Sequence, residues 1–196
     1  MNKFFLLILT FMVTGAWATE PVKWIRANAI SPDGKTIAFT YKGDLFTVPS
    51  EGGSASRLTS NAAYDGWPCW SPNGEQIAFA SDRMGSMDVY LISRNGGTPQ
   101  RLTTNSAHEY PQTFIDNEHI LFTAYYMPTA QDIFFPGSFS QVYSVDVKGH
   151  RPELFSAITM ENISINANGS LLYPNYKGYE DHGASVTTPP LLATST

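Results

Sequence analysis

Apolar and polar residues alternate in short runs along this chain, and the runs recur. In Asp88 to Ser93, Val89 and Leu91 fall on one face of a strand and Tyr90 and Ile92 on the other. That is the two-residue period of a β-strand covered on both faces. The same reading predicts strands over Gly66 to Ser71, Gln76 to Ser81 and Pro99 to Thr103. Between them stand turn residues with defined uses. In Ser71-Pro72-Asn73-Gly74, Pro presets φ, Asn bonds the local backbone, and Gly takes the positive φ. Arg94-Asn95-Gly96-Gly97 reads as a hairpin turn. No stretch beyond Ala18 carries a sustained helical period.

The pattern repeats as a unit. Ala29-Ile30-Ser31-Pro32-Asp33-Gly34-Lys35-Thr36-Ile37-Ala38-Phe39 returns as Cys69-Trp70-Ser71-Pro72-Asn73-Gly74-Glu75-Gln76-Ile77-Ala78-Phe79. Looser copies run from Thr113 to Phe122 and from Ile165 to Tyr173. Arg57-Leu58-Thr59 and Arg101-Leu102-Thr103 repeat in step, each after a Gly-Gly turn. Four short strands in a unit of about 40 to 45 residues mark a propeller blade. The fold class expected is therefore all-β: an incomplete β-propeller of four-stranded antiparallel blades, about three blades plus the start of a fourth. A β-sandwich is the rival, but it does not require one turn sequence to recur at one period. A chain stopping after three blades and two strands would expose apolar blade faces and a strand edge, so aggregation or pairing with another chain is expected.

The Ser-Pro-Asp-Gly and Arg-Leu-Thr copies resemble the TolB-like propeller repeat, which is specific for fold and nearly silent on function. Tyr173-Pro174-Asn175-Tyr176-Lys177-Gly178-Tyr179-Glu180-Asp181 resembles a segment of tricorn-type periplasmic serine peptidases. The likeness stops at Asp181, in mid-strand. One permitted set of codons for His182 to Thr196, read one base out of frame, spells Trp-Arg-Lys-Arg-His-His-Ala-Ser, close to the family's continuation. The expectation is an N-terminal propeller part of a tricorn-type peptidase, truncated by a frameshift after Asp181. Residues 1–18 would be a signal peptide, 19–181 a partial TolB-like propeller, and 182–196 an out-of-frame tail. The resemblance implies a propeller that filters or guides unfolded peptides or protein segments toward a C-terminal peptidase region of the parent. The family's catalytic serine lies in that region, and no position here corresponds to it. Two alternatives stay open: a TolB-like periplasmic protein-binding scaffold without enzymatic activity, and a propeller lyase, which would want a metal-binding His cluster.

The N-terminus adds a location. Lys3, the apolar run from Phe4 to Val13, and Ala16-Trp17-Ala18 read as a secretory signal cut after Ala18. The run is shorter than the roughly 20 residues that span a bilayer, so no membrane span is expected once the signal is removed, and the protein is expected in the periplasm or secreted. The net charge of −5, with 15% charged residues and no basic run, argues against nucleic acid. The 13% aromatic share suits a β-rich core.

Candidate chemistry is sparse. No G-x-S-x-G elbow, H-E-x-x-H helix, phosphate loop or paired-cysteine pattern occurs, so no catalytic residue and no cofactor are expected. His108, His119, His150 and His182 lack ligand spacing, so no metal is expected. Cys69, the single cysteine, reads as a buried, inert thiol. Asp82, Arg83 and Asp88 read as makers of loop and turn bonds within one blade. His108-Glu109-Tyr110-Pro111 aligns with Asp65-Gly66-Trp67-Pro68 of the preceding unit, at a strand entry toward the propeller axis, where packing or lining of the central opening are both open. The aromatic insertion from Tyr125 to Ser140 is long enough to be functional. Tyr125, Tyr126, Phe134 and Phe135 are its candidate peptide contacts; covering a blade edge is the equal alternative.

Overall fold

The computed structural model describes residues 24–126, 140–156, 162–166 and 169–173. The signal sequence, the tail after Asp181, and Phe134 and Phe135 lie outside the described residues. Blade 1 comprises β1 (Arg26–Ile30), β2 (Thr36–Tyr41), β3 (Asp44–Pro49) and β4 (Ser56–Arg57). Blade 2 comprises β5 (Asp65–Trp70), β6 (Gln76–Ser81), β7 (Asp88–Ser93) and β8 (Gln100–Arg101). Blade 3 comprises β9 (Glu109–Phe114), β10 (His119–Ala124), β11 (Gln141–Asp146) and β12 (Glu153–Ser156). Of blade 4 the described residues form β13 (Ser164–Ile165) paired with β14 (Leu171–Leu172). In each four-stranded sheet every strand pairs antiparallel with its sequence neighbour. The assembly is an unclosed β-propeller without a helix among the described residues.

The repeated residues hold each blade's geometry. Ser31 and Ser71 are buried, and each hydroxyl accepts the amide proton two positions past the turn glycine, from Thr36 at 2.9 Å and Gln76 at 3.0 Å. Gly34 and Gly74 sit at φ 70° and 68°, where a Cβ would be strained. The Arg-Leu-Thr element closes the outer side of the blade. Leu45 N donates to Thr59 Oγ1 at 2.9 Å, and Val89 N donates to Thr103 Oγ1 at 2.8 Å. Arg57 reaches Asp44 at 2.6 Å and Arg101 reaches Asp88 at 2.8 Å, so each arginine clamps the start of the third strand.

The two-faced apolar pattern is explained by stacking between blades. Tyr90 and Ile92 join Ala38, Leu45 and Trp70 in the core between blades 1 and 2. Val89 and Leu91 join Phe114, Ile120 and Phe122 between blades 2 and 3. A third core joins Leu121 and Val142 to Ile163, Leu171 and Tyr173 of blade 4. Each fully buried large side chain contributes roughly 1.5–3 kcal/mol relative to exposure, so the blade boundaries carry the hydrophobic stabilisation. Polar links tie the same boundaries: Trp70 Nε1 donates to Ala29 O at 3.1 Å, Asp65 N to Gly43 O at 2.8 Å, and Glu109 N to Met87 O at 2.7 Å.

Candidate functional site

The first strand of each blade lies innermost, so β1, β5, β9 and β13 stand side by side around the axis. Each of the three longer ones is bulged near its start, between Arg26 and Asn28, between Gly66 and Cys69, and opposite Leu121/Phe122. The bulges aim Ala27, Trp67 and Pro111 into a cleft of about 400 Å³ that Asn162, before β13, completes. These four are register equivalents. Ala27, Trp67 and Asn162 hold positive φ of 39°, 52° and 53°, a conformation that costs a non-glycine residue on the order of 1–2 kcal/mol; proline supplies the fourth position with its fixed negative φ.

Aromatic rings dominate the cleft. The Trp67 and Tyr110 centroids lie 4.8 Å apart with planes tilted 59°, and Tyr64 meets Trp67 edge-on at 5.9 Å. Trp67 is 40% exposed and Tyr125 41%. Gly66 permits the Tyr64 contact, because a Cβ there would stand 2.8 Å from Tyr64 Cε1. The remaining walls are neutral and polar: Asn28, Asn162, Gln112 and Ser140. Gln112 Nε2 donates to Thr123 Oγ1 at 3.2 Å. Ser140 Oγ is buried without a hydrogen-bond partner among the described residues. Among the described residues, no charged side chain lines the cleft. Burial raises the Tyr110 phenol, keeping it neutral. Its described residues offer ring faces and neutral hydrogen-bonding groups, with no nucleophile–base pair among them.

Residues 23–183 match the family described as the tricorn protease N-terminal beta propeller domain. The chain belongs to that family. Among curated relatives, Tricorn protease homolog 1 of Streptomyces coelicolor is 35% identical over 73 residues, which is 37% of this chain and 7% of that protein. The chain thus matches only a small part of that relative's length. Among solved structures, a putative TolB from Agrobacterium tumefaciens has a TM-score of 0.63 at 23% identity, covering 81% of this chain and 57% of the other. A tricorn protease structure has a TM-score of 0.57 at 14% identity, covering 82% and 20%. These structural likenesses establish the fold.

Within this tricorn-type propeller the candidate contacts separate. Tyr125 lines the cleft at the end of β10. Tyr126 turns inward, donates to the Glu109 carboxylate, and packs on Tyr143 with centroids 4.4 Å apart. The alignment of His108 with Asp65 shifts by one residue. Glu109, not His108, is the register equivalent of Asp65, because the Ile115-to-His119 turn is one residue shorter than the Ser71-to-Gln76 turn. Tyr110 and Pro111 therefore enter the cleft, while His108 lies to one side, its Nδ1 accepting from Met87 N at 3.1 Å.

Glu109 sits fully buried at the boundary of blades 2 and 3. Burial pushes its carboxyl up to about 7, against lowering by Thr103 and Tyr126. Burial likewise raises Asp88, against its hydrogen bond and charge attraction with Arg101. Asp82 Oδ1 accepts from Tyr64 N at 2.7 Å, and Arg83 pairs with buried Asp65 at 2.7 Å, so both work within blade 2. Cys69 is half-buried, and its thiol is pushed up to about 12 by burial. Among the described residues no group of three or more His, Cys, Asp or Glu is arranged to hold a metal ion, and no helix is long and apolar enough to cross a membrane.

Proposed function

We propose that this chain is the non-catalytic propeller region of a tricorn-type peptidase and that its axial cleft receives peptide on the way to the parent's peptidase region. The observation that carries the reading is the cleft at the inner strands, aromatic and without a charge among its described lining residues, on a chain of this family. Such a surface takes unfolded segments through ring contacts and main-chain hydrogen bonds, with little demand on side-chain charge. In the same reading residues 1–18 direct export to the periplasm, 19–181 form the propeller and 182–196 are out of frame.

The test uses the full chain immobilised at low density, which avoids self-association, and a fluorescein-labelled unstructured neutral peptide. Tyr125→Ala should weaken binding about tenfold, the loss of one aromatic contact of about 1.4 kcal/mol. No measurable binding by the unsubstituted chain would overturn the reading.

A further inference from the structure

We infer that the axial cleft is selective for proline-bearing peptide in the polyproline II conformation, with Trp67 and Tyr110 forming the notch that takes a pyrrolidine ring. The inference rests on the peptide-receiving reading above and adds the ligand's conformation.

Three observations lead there. First, the inner strands offer their free edges to the cleft, yet each longer one is bulged where the cleft opens. A bulge twists an edge and breaks the run of evenly placed donors and acceptors that an added strand needs. Recognition by strand addition is thereby disfavoured.

Second, the ring geometry is that of a wedge. Trp67 and Tyr110 are tilted 59° at 4.8 Å, and Tyr64 stands at 63° to Trp67. The two rings touch each other, so a ligand rests in the corner they make and not between them; a flat sugar face wants a flat platform, whereas a puckered five-membered ring suits such a corner. The exposure of Trp67 is maintained at positive φ, and backbone strain of this kind concentrates at binding sites.

Third, the hydrogen-bonding groups suit an extended carbonyl-rich chain. The Trp67 indole N–H, the Tyr110 and Tyr125 hydroxyls and the Asn28 amide have no hydrogen-bond partner among the described residues. A polyproline II segment has no internal hydrogen bonds and presents its carbonyls outward. Its conformational entropy is already low, so docking on an aromatic-lined groove loses little. None of the described lining residues is charged, so they offer acidic or basic motifs no ion-pair partner.

The experiment compares three probes on the immobilised full chain: a labelled peptide rich in Pro-Pro-Ala, a labelled Ala-, Ser- and Asn-rich peptide of equal length, and a neutral maltooligosaccharide. The variants are Trp67→Gly and Trp67→Phe. Glycine accepts the positive φ without strain, so Trp67→Gly removes the indole while leaving the bulge conformation available; matching circular dichroism spectra check the fold. The proline-rich peptide should bind about tenfold more tightly than its control, a difference that Trp67→Gly erases and Trp67→Phe partly restores. Equal affinity for both peptides, lost in Trp67→Gly, would overturn the conformational selectivity and leave the peptide-receiving reading standing. Binding of neither peptide would overturn both, and binding of the oligosaccharide alone would reassign the cleft to glycan.

Discussion

Replacing Glu109 with Gln should abolish most of a pH-dependent loss of stability that the wild-type chain shows between weakly acidic and neutral conditions. Glu109 is buried between blades 2 and 3, facing Asp88, with the Tyr126 hydroxyl as its hydrogen-bond donor. Its carboxyl is raised from 4.5 to about 7, chiefly by burial. Below about 4.5 the group is neutral in both the folded and unfolded chain and imposes no penalty. As pH rises toward 7 the unfolded chain releases the proton and the folded chain holds it, so stability falls; above about 7 both states ionise and the loss levels off. At about 1.4 kcal/mol per pH unit the maximal effect is about 3 kcal/mol. Gln keeps an acceptor for Tyr126 and a donor for Asp88, and so mimics the protonated acid. Urea denaturation of dilute protein, followed by tryptophan fluorescence across this pH window, measures the difference. Wild type should lose about 2–3 kcal/mol relative to Glu109→Gln. Both should retain a smaller slope of the same sign, because Asp88 is raised too. Parallel curves for the two proteins would refute the assignment.

Two further outcomes are expected. Asp65→Ala leaves the Arg83 guanidinium, 15% exposed, without the partner it holds at 2.7 Å, and should cost about 3–5 kcal/mol in urea denaturation. Asp44→Ala, which frees the half-exposed Arg57, should cost much less, about 1 kcal/mol; equal losses would contradict the burial argument. Cys69, with its thiol at about 12, should resist iodoacetamide at about pH 8.5, where an ordinary thiol is half ionised, and react at once in denaturant. Native-state alkylation seen by mass spectrometry would show that the thiol is accessible and ionised.

The blades were legible in the sequence because the residues that build them are repeated for one physical reason each. Ser31 and Ser71 hold the same turn, Gly34 and Gly74 take the same φ, and Thr59 and Thr103 accept from the same strand position. The alternation of Val89 and Leu91 with Tyr90 and Ile92 stated in advance that two cores flank one sheet. The one-residue contraction of the Ile115 turn was not visible, because that turn lacks the Pro and Gly that register the others, and it displaced the reading of His108 and Glu109. Tyr125 and Tyr126 could not be told apart either: adjacent residues at a strand end differ in the side they face, and only the partner Glu109 across the blade decides which turns inward.

The cleft was the least legible part, and its own construction explains why. Ala27, Trp67, Pro111 and Asn162 occupy one equivalent backbone position in four successive blades. A repeat is recognised by what its copies share, and these positions share nothing. Three of them carry positive φ without the glycine that would announce it, so local turn chemistry gives no signal. Their side chains line the opening at the axis and stand outside the cores between blades, so the hydrophobic periodicity of those cores does not constrain them. A propeller separates the two demands on its sequence: the sheets fix the turn, clamp and core positions, and the bulged inner-strand positions are left to differ from blade to blade. Residues that break the repeat at a fixed register position are therefore where a propeller of this family should be searched for its ligand contacts, and the tilted Trp67–Tyr110 pair is the feature that such a search isolates here.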